Sequence, residues 1–320
     1  MEGALVSATG RRYDIRGGVP RMVPEDAVDG GQQTTREAFS NKWVQLPEFG
    51  HEAASRDFYR QWYFDRYKFG TIEGLERFLE GKRRVLDAGT GLGRDSRMYA
   101  EHSSAEVFGV DISASIDIAY GHLREVPNLH LIQADLTQLP FEPGFFDLLA
   151  CDQVLHHTKD THESLTHLAT RLAPGGDIMI YVYRRKALIR ELADDHLRSV
   201  VQAMPEREAW RFSEQLTELG KVLSDANVQI EVPDIPALGI KGGSYDLQRF
   251  IYWNVLKCYW NPTMPYETSV STNFDWYRPL YAHRHTPEEV RGWFEGLGFE
   301  VKTFDEVESG ISVRARRPGR

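Results

Sequence analysis

Apolar positions change their spacing several times along this chain, and the changes divide it. Between residues 84 and 183 they come in short runs. Val85 and Leu86 end the first run, EVFGVD closes the second at Asp111, and HLIQAD closes the third at Asp135. FFDLLACD, from Phe145 to Asp152, is the fourth, and DIMIYVY is the fifth, entered through the turn Pro174-Gly175-Gly176. Runs without polar alternation predict strands covered on both faces. Helical spacing separates them, as with Leu165, Leu168 and Leu172 before the fifth run. Strands alternating with helices predict βαβ units and a parallel sheet.

Other patterns flank this block. Tyr13 and Ile15 alternate with charges ahead of Gly17-Gly18 and Val19-Pro20, which predicts a small hairpin; residues 24–36 read as a flexible linker. From Phe39 to Glu80 the pattern is helical and ring-rich, with Phe39, Trp43, Phe58, Tyr59, Trp62, Tyr63, Phe64, Tyr67 and Phe69 in one stretch. After the fifth run, Phe212, Leu216, Leu219 and Leu223 predict one amphipathic helix, and residues 247–260 are apolar almost all round, as a lid helix or an oligomer interface would be. Thr286, Pro287 and Glu289 predict a capped helix start, Gly298 its end, and two closing strands follow near 299–307 and 311–315. The expected divisions are an arm and linker over 1–36, helices plus a core over 37–183, a helical insertion over 184–280, and a return to the core over 281–320.

Composition narrows the class. A chain of 320 residues with 41% hydrophobic and 27% charged residues is an ordinary globular composition. Its net charge of -9 argues against nucleic acid as a partner, which needs phosphate neutralisation. Cys151 and Cys258 are too far apart for a disulfide framework or a cysteine-rich zinc site, so no metal is expected. No apolar signal core and no membrane-length apolar run appears, so a cytoplasmic location and no membrane partner are expected.

The chemistry concentrates in RVLDAGTGLGRDS, residues 84–96. Asp87 precedes Gly89, Gly91 and Gly93, and glycines this close let bare backbone approach a ligand. Arg94 stands where a dinucleotide fingerprint puts its third glycine, which argues against NAD or FAD. Asp111 ends the next strand, where a carboxylate accepts ribose hydroxyls, and Asp135 ends the third. An acidic residue before G-x-G-x-G, with carboxylates ending three successive strands, resembles the class I S-adenosylmethionine (SAM) methyltransferases. FEPGFFDLLACDQVLHHT and LAPGGDIMIYVY resemble that family's fourth and fifth strand regions. FDWYRPLYAHRHTPEEVRGWFEGLGF resembles the tail of a bacterial subgroup often headed by a zinc ribbon, whose last strands the segment up to residue 24 resembles without its cysteines.

The resemblance implies a Rossmann-like, doubly wound seven-stranded α/β sheet with an N-terminal helical segment that closes over the cofactor. It implies SAM as cofactor, S-adenosylhomocysteine as product, and cofactor contacts at Asp87, Ala88, Gly89, Gly91, Gly93, Asp111, Ile112, Asp135, Leu136 and Cys151. For a hydroxyl acceptor a base is needed; His156 and His157 follow the fourth strand, and His283 and His285 are rivals from the tail. Arg184, Arg185 and Lys186 leave the fifth strand where they could clamp a carboxylate or phosphate, so the expected acceptor is a small apolar molecule with an anionic group. A homodimer fits the apolar 247–260 segment. Aminocarboxypropyl transfer, SAM cyclisation and an idle SAM-binding subunit stay open beside methyl transfer to oxygen.

Overall fold

The computed structural model describes residues 2–7, 10–23, 30–49 and 51–319. Strands β1 (Gly3–Val6), β2 (Arg12–Arg16) and β3 (Val19–Pro20) precede helices α1 (Gly30–Gln45), α2 (Ala53–Tyr67) and α3 (Ile72–Leu79). The alternating block follows as β4 (Arg84–Ala88), α4 (Arg94–Glu101), β5 (Glu106–Asp111), α5 (Ser115–Leu123), β6 (Leu129–Gln133), β7 (Phe146–Asp152), α6 (Thr161–Arg171) and β8 (Leu172–Tyr183). A second unit, Arg184–Ala282, holds α7 (Leu188–Gln202), α8 (Glu206–Asp225), β9 (Gln229–Val232), β10 (Gly243–Asp246), α9 (Leu247–Asn254) and α10 (Tyr266–Tyr277). The chain then returns to the first unit with α11 (Pro287–Gly296), β11 (Glu300–Glu306) and β12 (Gly310–Arg316).

The first unit is built on a seven-stranded sheet in the order β11-β12-β8-β7-β4-β5-β6. β4 to β8 are parallel, and β12 runs antiparallel to both β8 and β11. This is the expected Rossmann-like doubly wound sheet. Successive strand residues point to opposite faces, so a run such as Val85-Leu86 feeds two cores at once. Leu86, Val110, Leu149, Ile180 and Phe294 pack on one face, and Val85, Val107, Leu148, Tyr67 and Leu75 on the other. Strand order reverses between β4 and β7, which opens a crevice at their carboxyl ends.

The N-terminal hairpin forms, with β1 as a third strand, and docks on the sheet edge. Val19 packs among Ile116, Ala119, Leu123 and Leu131, the Met22 amide donates to the Gln133 carbonyl at 2.7 Å, and Arg21 pairs with Asp117. The linker expectation fails over residues 30–36. Residues 24–29 lie outside the described residues, and from Gly30 onward the stretch is helix, held by Thr34 Oγ1 to the Gly30 carbonyl and by Gln33 to Glu37. Two glycines weaken a helix by about 1 kcal/mol each; contacts of α1 to the sheet outweigh that.

Three further boundaries differ. β6 stops at Gln133, so Asp135 lies just beyond it and caps a single 3-10 turn, Leu136–Gln138. Pro174-Gly175-Gly176 is not a separate turn but an irregularity inside β8, where the register with β7 shifts between Phe146 and Leu148. In the second unit the apolar stretch 247–260 is not one helix. α9 ends at Asn254, with the amides of Val255 and Leu256 both turned onto the Ile251 carbonyl. α8 forms, but Leu219 is exposed; its inward face is Ala209, Ser213, Leu216, Thr217 and Gly220, because a side chain at Gly220 would meet the Cys258 carbonyl at 2.3 Å.

Candidate active site

The glycine turn after β4 is shaped by what presses on it. Gly89 has φ +85°, and a Cβ there would meet Val154 Cγ2 at 2.3 Å; Gly91 has φ +56° and lies beneath the Trp43 indole. At Gly89 the positive φ and the pressing side chain together require glycine, and at Gly91 the positive φ favours it. Hydrogen bonds fix the turn to the next strand. The amides of Gly89 and Thr90 donate to the Val110 carbonyl at 2.7 and 2.9 Å, and the Gly91 amide donates to Asp111 Oδ2 at 2.9 Å. Asp111 Oδ1 accepts the Ser113 amide and hydroxyl, so this carboxylate sets the turn.

Acidity gathers beside the turn. Asp87 is buried and accepts from Ser96 Oγ at 2.7 Å. Burial, and then the Asp95 carboxylate, push its carboxyl up to about 7 against the Ser96 and Thr90 hydroxyls, with Asp152 adding to the rise. Arg94, in the place of the missing third glycine, is turned aside by its pair with Asp95 at 2.8 Å and lies 4.8 Å from the Tyr59 ring centre. Closely set carboxylates with one ready to ionise near neutrality suit a cationic ligand.

Asp135 is spent within the protein: Oδ1 accepts the Thr137 amide and hydroxyl, and Oδ2 accepts Gln32 Nε2 at 2.9 Å. Ala88 and Leu136 are buried beside these loops, and Ile112 is half-buried with its carbonyl taken by Gln133. Cys151 is fully buried inside β7 as a member of the apolar core, and burial pushes its thiol well up.

The four histidines come together. The His283 amide donates to the His156 carbonyl at 2.8 Å and the His285 amide to the Tyr183 carbonyl at 2.9 Å, which threads the tail across the ends of β7 and β8. His156 is 0% exposed, stacked on Tyr183 at 3.7 Å, and neither ring nitrogen meets a hydrogen-bond partner among the described residues. Burial, then His157, His285 and His283, hold it well below the ordinary histidine range, with the Tyr181 backbone opposing. His157 retains 8% exposure and meets the edge of Phe39 at 4.9 Å. His283 Nε2 lies 3.0 Å from the Thr158 carbonyl, and His285 Nε2 3.0 Å from Thr161 Oγ1. Among the described residues no cluster of histidine, cysteine, aspartate or glutamate could hold a metal.

The site also has members that motif reading passed over. α1 runs along the carboxyl edge: Gln32 reaches Asp135, Ser40 Oγ accepts the Ala114 amide, Trp43 covers Gly91 and Phe39 touches His157. Asp152, at the end of β7, accepts from Arg66 at 2.9 Å, Tyr67 at 2.8 Å and Gln153 at 3.0 Å. Gln153 then adopts φ +62°, a costly backbone for a residue with a side chain, and that reversal lays Val154 on Gly89. Phe39, Trp43 and Tyr67 stood out as rings; nothing in the spacing tied Gln32, Arg66 or Gln153 to the site.

A sheet of this order with a glycine turn at its switch point is shared by many proteins, so the sequence match decides. A family described as a methyltransferase domain matches residues 86–180. Residues 86–180 of this chain are a methyltransferase domain. An uncharacterized protein of Synechococcus sp. is 36% identical to this chain over 36% of it and 29% of its own length. A ubiquinone biosynthesis O-methyltransferase of Coxiella burnetii is 34% identical over 33% of this chain and 46% of its own. This chain thus spans less than half the length of these curated relatives. Among solved structures, magnesium protoporphyrin IX methyltransferase from Synechocystis PCC 6803, with S-adenosylhomocysteine bound, aligns with TM-score 0.46 and 15% identity over 89% of this chain and 99% of that one. The matched stretch includes the glycine turn, Asp87, Asp111 and Asp135.

Proposed function

We propose that this chain transfers the methyl group of SAM to a hydroxyl oxygen of a small molecule, with His157 as general base. The observation that carries the choice is the turn after β7. It sets Val154 against Gly89 and, three residues later, brings His157, which retains 8% exposure, to the loop that follows the carboxyl end of β7. His156 is sealed, and the Nε2 atoms of His283 and His285 lie against Thr158 and Thr161. SAM supplies an electrophilic methyl on sulfur; the acceptor oxygen attacks that carbon, the carbon–sulfur bond breaks, S-adenosylhomocysteine leaves, and the hydroxyl proton passes to the imidazole. Proximity contributes most of the rate and the base a further factor of about 10²–10⁴. The Coxiella relative's name supports oxygen as acceptor.

Turnover of the His157→Ala protein, with S-adenosylhomocysteine affinity measured alongside, tests this. Turnover should fall by about 10²–10⁴ while affinity stays within a few fold. Unchanged turnover removes His157 as base. Methylthioadenosine formed from SAM without any acceptor would replace methyl transfer by transfer or cyclisation of the aminocarboxypropyl arm.

A further inference from the structure

The hairpin at the start of the chain has no part in the proposed reaction, yet its last strand ends against the loops that follow β5 and β6. Arg21, one residue past β3, bridges in parallel to Gln133, the last residue of β6. The Met22 amide donates to the Gln133 carbonyl at 2.7 Å. Both Nη atoms of Arg21 pair with the Asp117 carboxylate on α5, and Nη2 also donates to the Arg16 carbonyl at 3.1 Å. Nη1 donates further, to Gln133 Oε1 at 3.2 Å.

The nitrogen of that same amide holds the loop after β5. Gln133 is buried, and its Nε2 donates to the carbonyls of Ile112 at 3.1 Å and Ser113 at 3.3 Å. Ser113 in turn donates its amide and hydroxyl to Asp111 Oδ1, while the Ala134 amide donates to the Asp111 carbonyl at 3.1 Å. Two carbonyls can be met only by the nitrogen of a side-chain amide, which turns its oxygen toward Arg21. Arginine carries donors alone, so Arg21 fixes the orientation of the Gln133 amide. A chain of hydrogen bonds thus runs from Arg21 through Gln133 and Ser113 to Asp111.

We propose that Arg21 and Gln133 are positioning residues for the cofactor: through them the N-terminal hairpin sets the Asp111 loop and so governs how tightly the ribose of SAM is held. The inference rests on the reading of Asp111 as the carboxylate that accepts ribose hydroxyls. It stands independently of which atom receives the methyl group. Coupling of this kind is reciprocal, so ribose held at Asp111 should steady the hairpin in return.

Calorimetry on the full chain should compare adenosine with dideoxyadenosine, which lacks both ribose hydroxyls. The unaltered chain should prefer adenosine by about tenfold or more. Gln133→Glu keeps a partner for Arg21 but has no donor for the two carbonyls, and Arg21→Met removes the donor that orients the amide. Each should shrink the preference by about three- to tenfold. Arg21→Lys keeps a donor and should retain more of the preference than Arg21→Met. A general loss of packing weakens both nucleosides alike and leaves the ratio unchanged, so the ratio separates positioning from stability. Because either variant can undock the hairpin, hydrogen exchange on the unaltered chain is the second readout: amides of residues 12–22 should exchange more slowly with S-adenosylhomocysteine bound. A preference for adenosine kept in full by Gln133→Glu and Arg21→Met, or equal exchange in the hairpin with and without ligand, would overturn the coupling alone. No preference in the unaltered chain would take Asp111 away from the ribose, and the proposal with it.

Discussion

Single side chains here hold more than one segment of the loops at the carboxyl edge. Asp111 holds the Gly91 amide and the Ser113 amide with opposite oxygens. Asp111→Ala removes the anchor of the turn and, in the proposed SAM site, a charged ligand contact with it. Affinity for S-adenosylhomocysteine should fall by about 2–3 kcal/mol, with far-ultraviolet circular dichroism unchanged; calorimetry showing wild-type affinity would take Asp111 out of the site. Asp87 gives a second, pH-dependent signature. Its carboxyl is held near 7 by burial and Asp95, so near pH 6 it is largely protonated in the free protein. A cationic ligand beside it favours the carboxylate, so SAM binding near pH 6 should release a proton, and near pH 8.5, where Asp87 is already ionised, it should release almost none. Calorimetry in buffers of different ionisation heat counts those protons; equal release at both pH values would place the cation elsewhere.

At the scale of elements, α1 lies along the carboxyl edge of the sheet. Gln32, Phe39, Ser40 and Trp43 touch four neighbouring loops of the carboxyl edge, yet only Thr35, Ala38 and Lys42 are buried along the helix. A helix held by so few buried side chains opens easily, and ligand bound beneath it should close it. Amide exchange in α1 should slow when S-adenosylhomocysteine binds while exchange in α11 does not change; equal rates in α1 would make it fixed scaffold. This helix also marks where sequence reading stops. β5 and the capping box of α11, Thr286 with Glu289, lie where the spacing puts them, because apolar runs and caps are local signals. α1 carries no apolar stripe, and Gly30-Gly31 argues for a linker; its contacts are to Asp135, Gly91 and His157, far along the chain. The small inward face of α8 is the same case, set by the Cys258 backbone rather than by any pattern in α8 itself.

Across the whole molecule, the two buried groups of the first unit with opposite perturbations should leave a calculable trace in stability. Asp87 holds its proton up to about 7 when folded, against 3.8 when unfolded. Between those values the folded state binds the extra proton, so this group makes stability fall as pH rises. His156 is held well below 6.5 when folded, so below that value only the unfolded state takes up its proton. This group makes stability rise with pH. Each full proton is worth about 1.4 kcal/mol per pH unit, so from about pH 5 to 6 the two slopes largely cancel in the native sequence. Asp87→Asn keeps the shape and removes one slope; its stability should rise with pH, relative to the parent, by about 1 kcal/mol over that unit. His156→Phe keeps a ring against Tyr183 and should tilt the opposite way, and the double variant should run parallel to the parent. Urea unfolding at three pH values in that window measures all four slopes. If both single variants run parallel to the parent, then neither group carries the proton assigned to it, and the reading of Asp87 as the carboxylate that ionises for a cation goes with it.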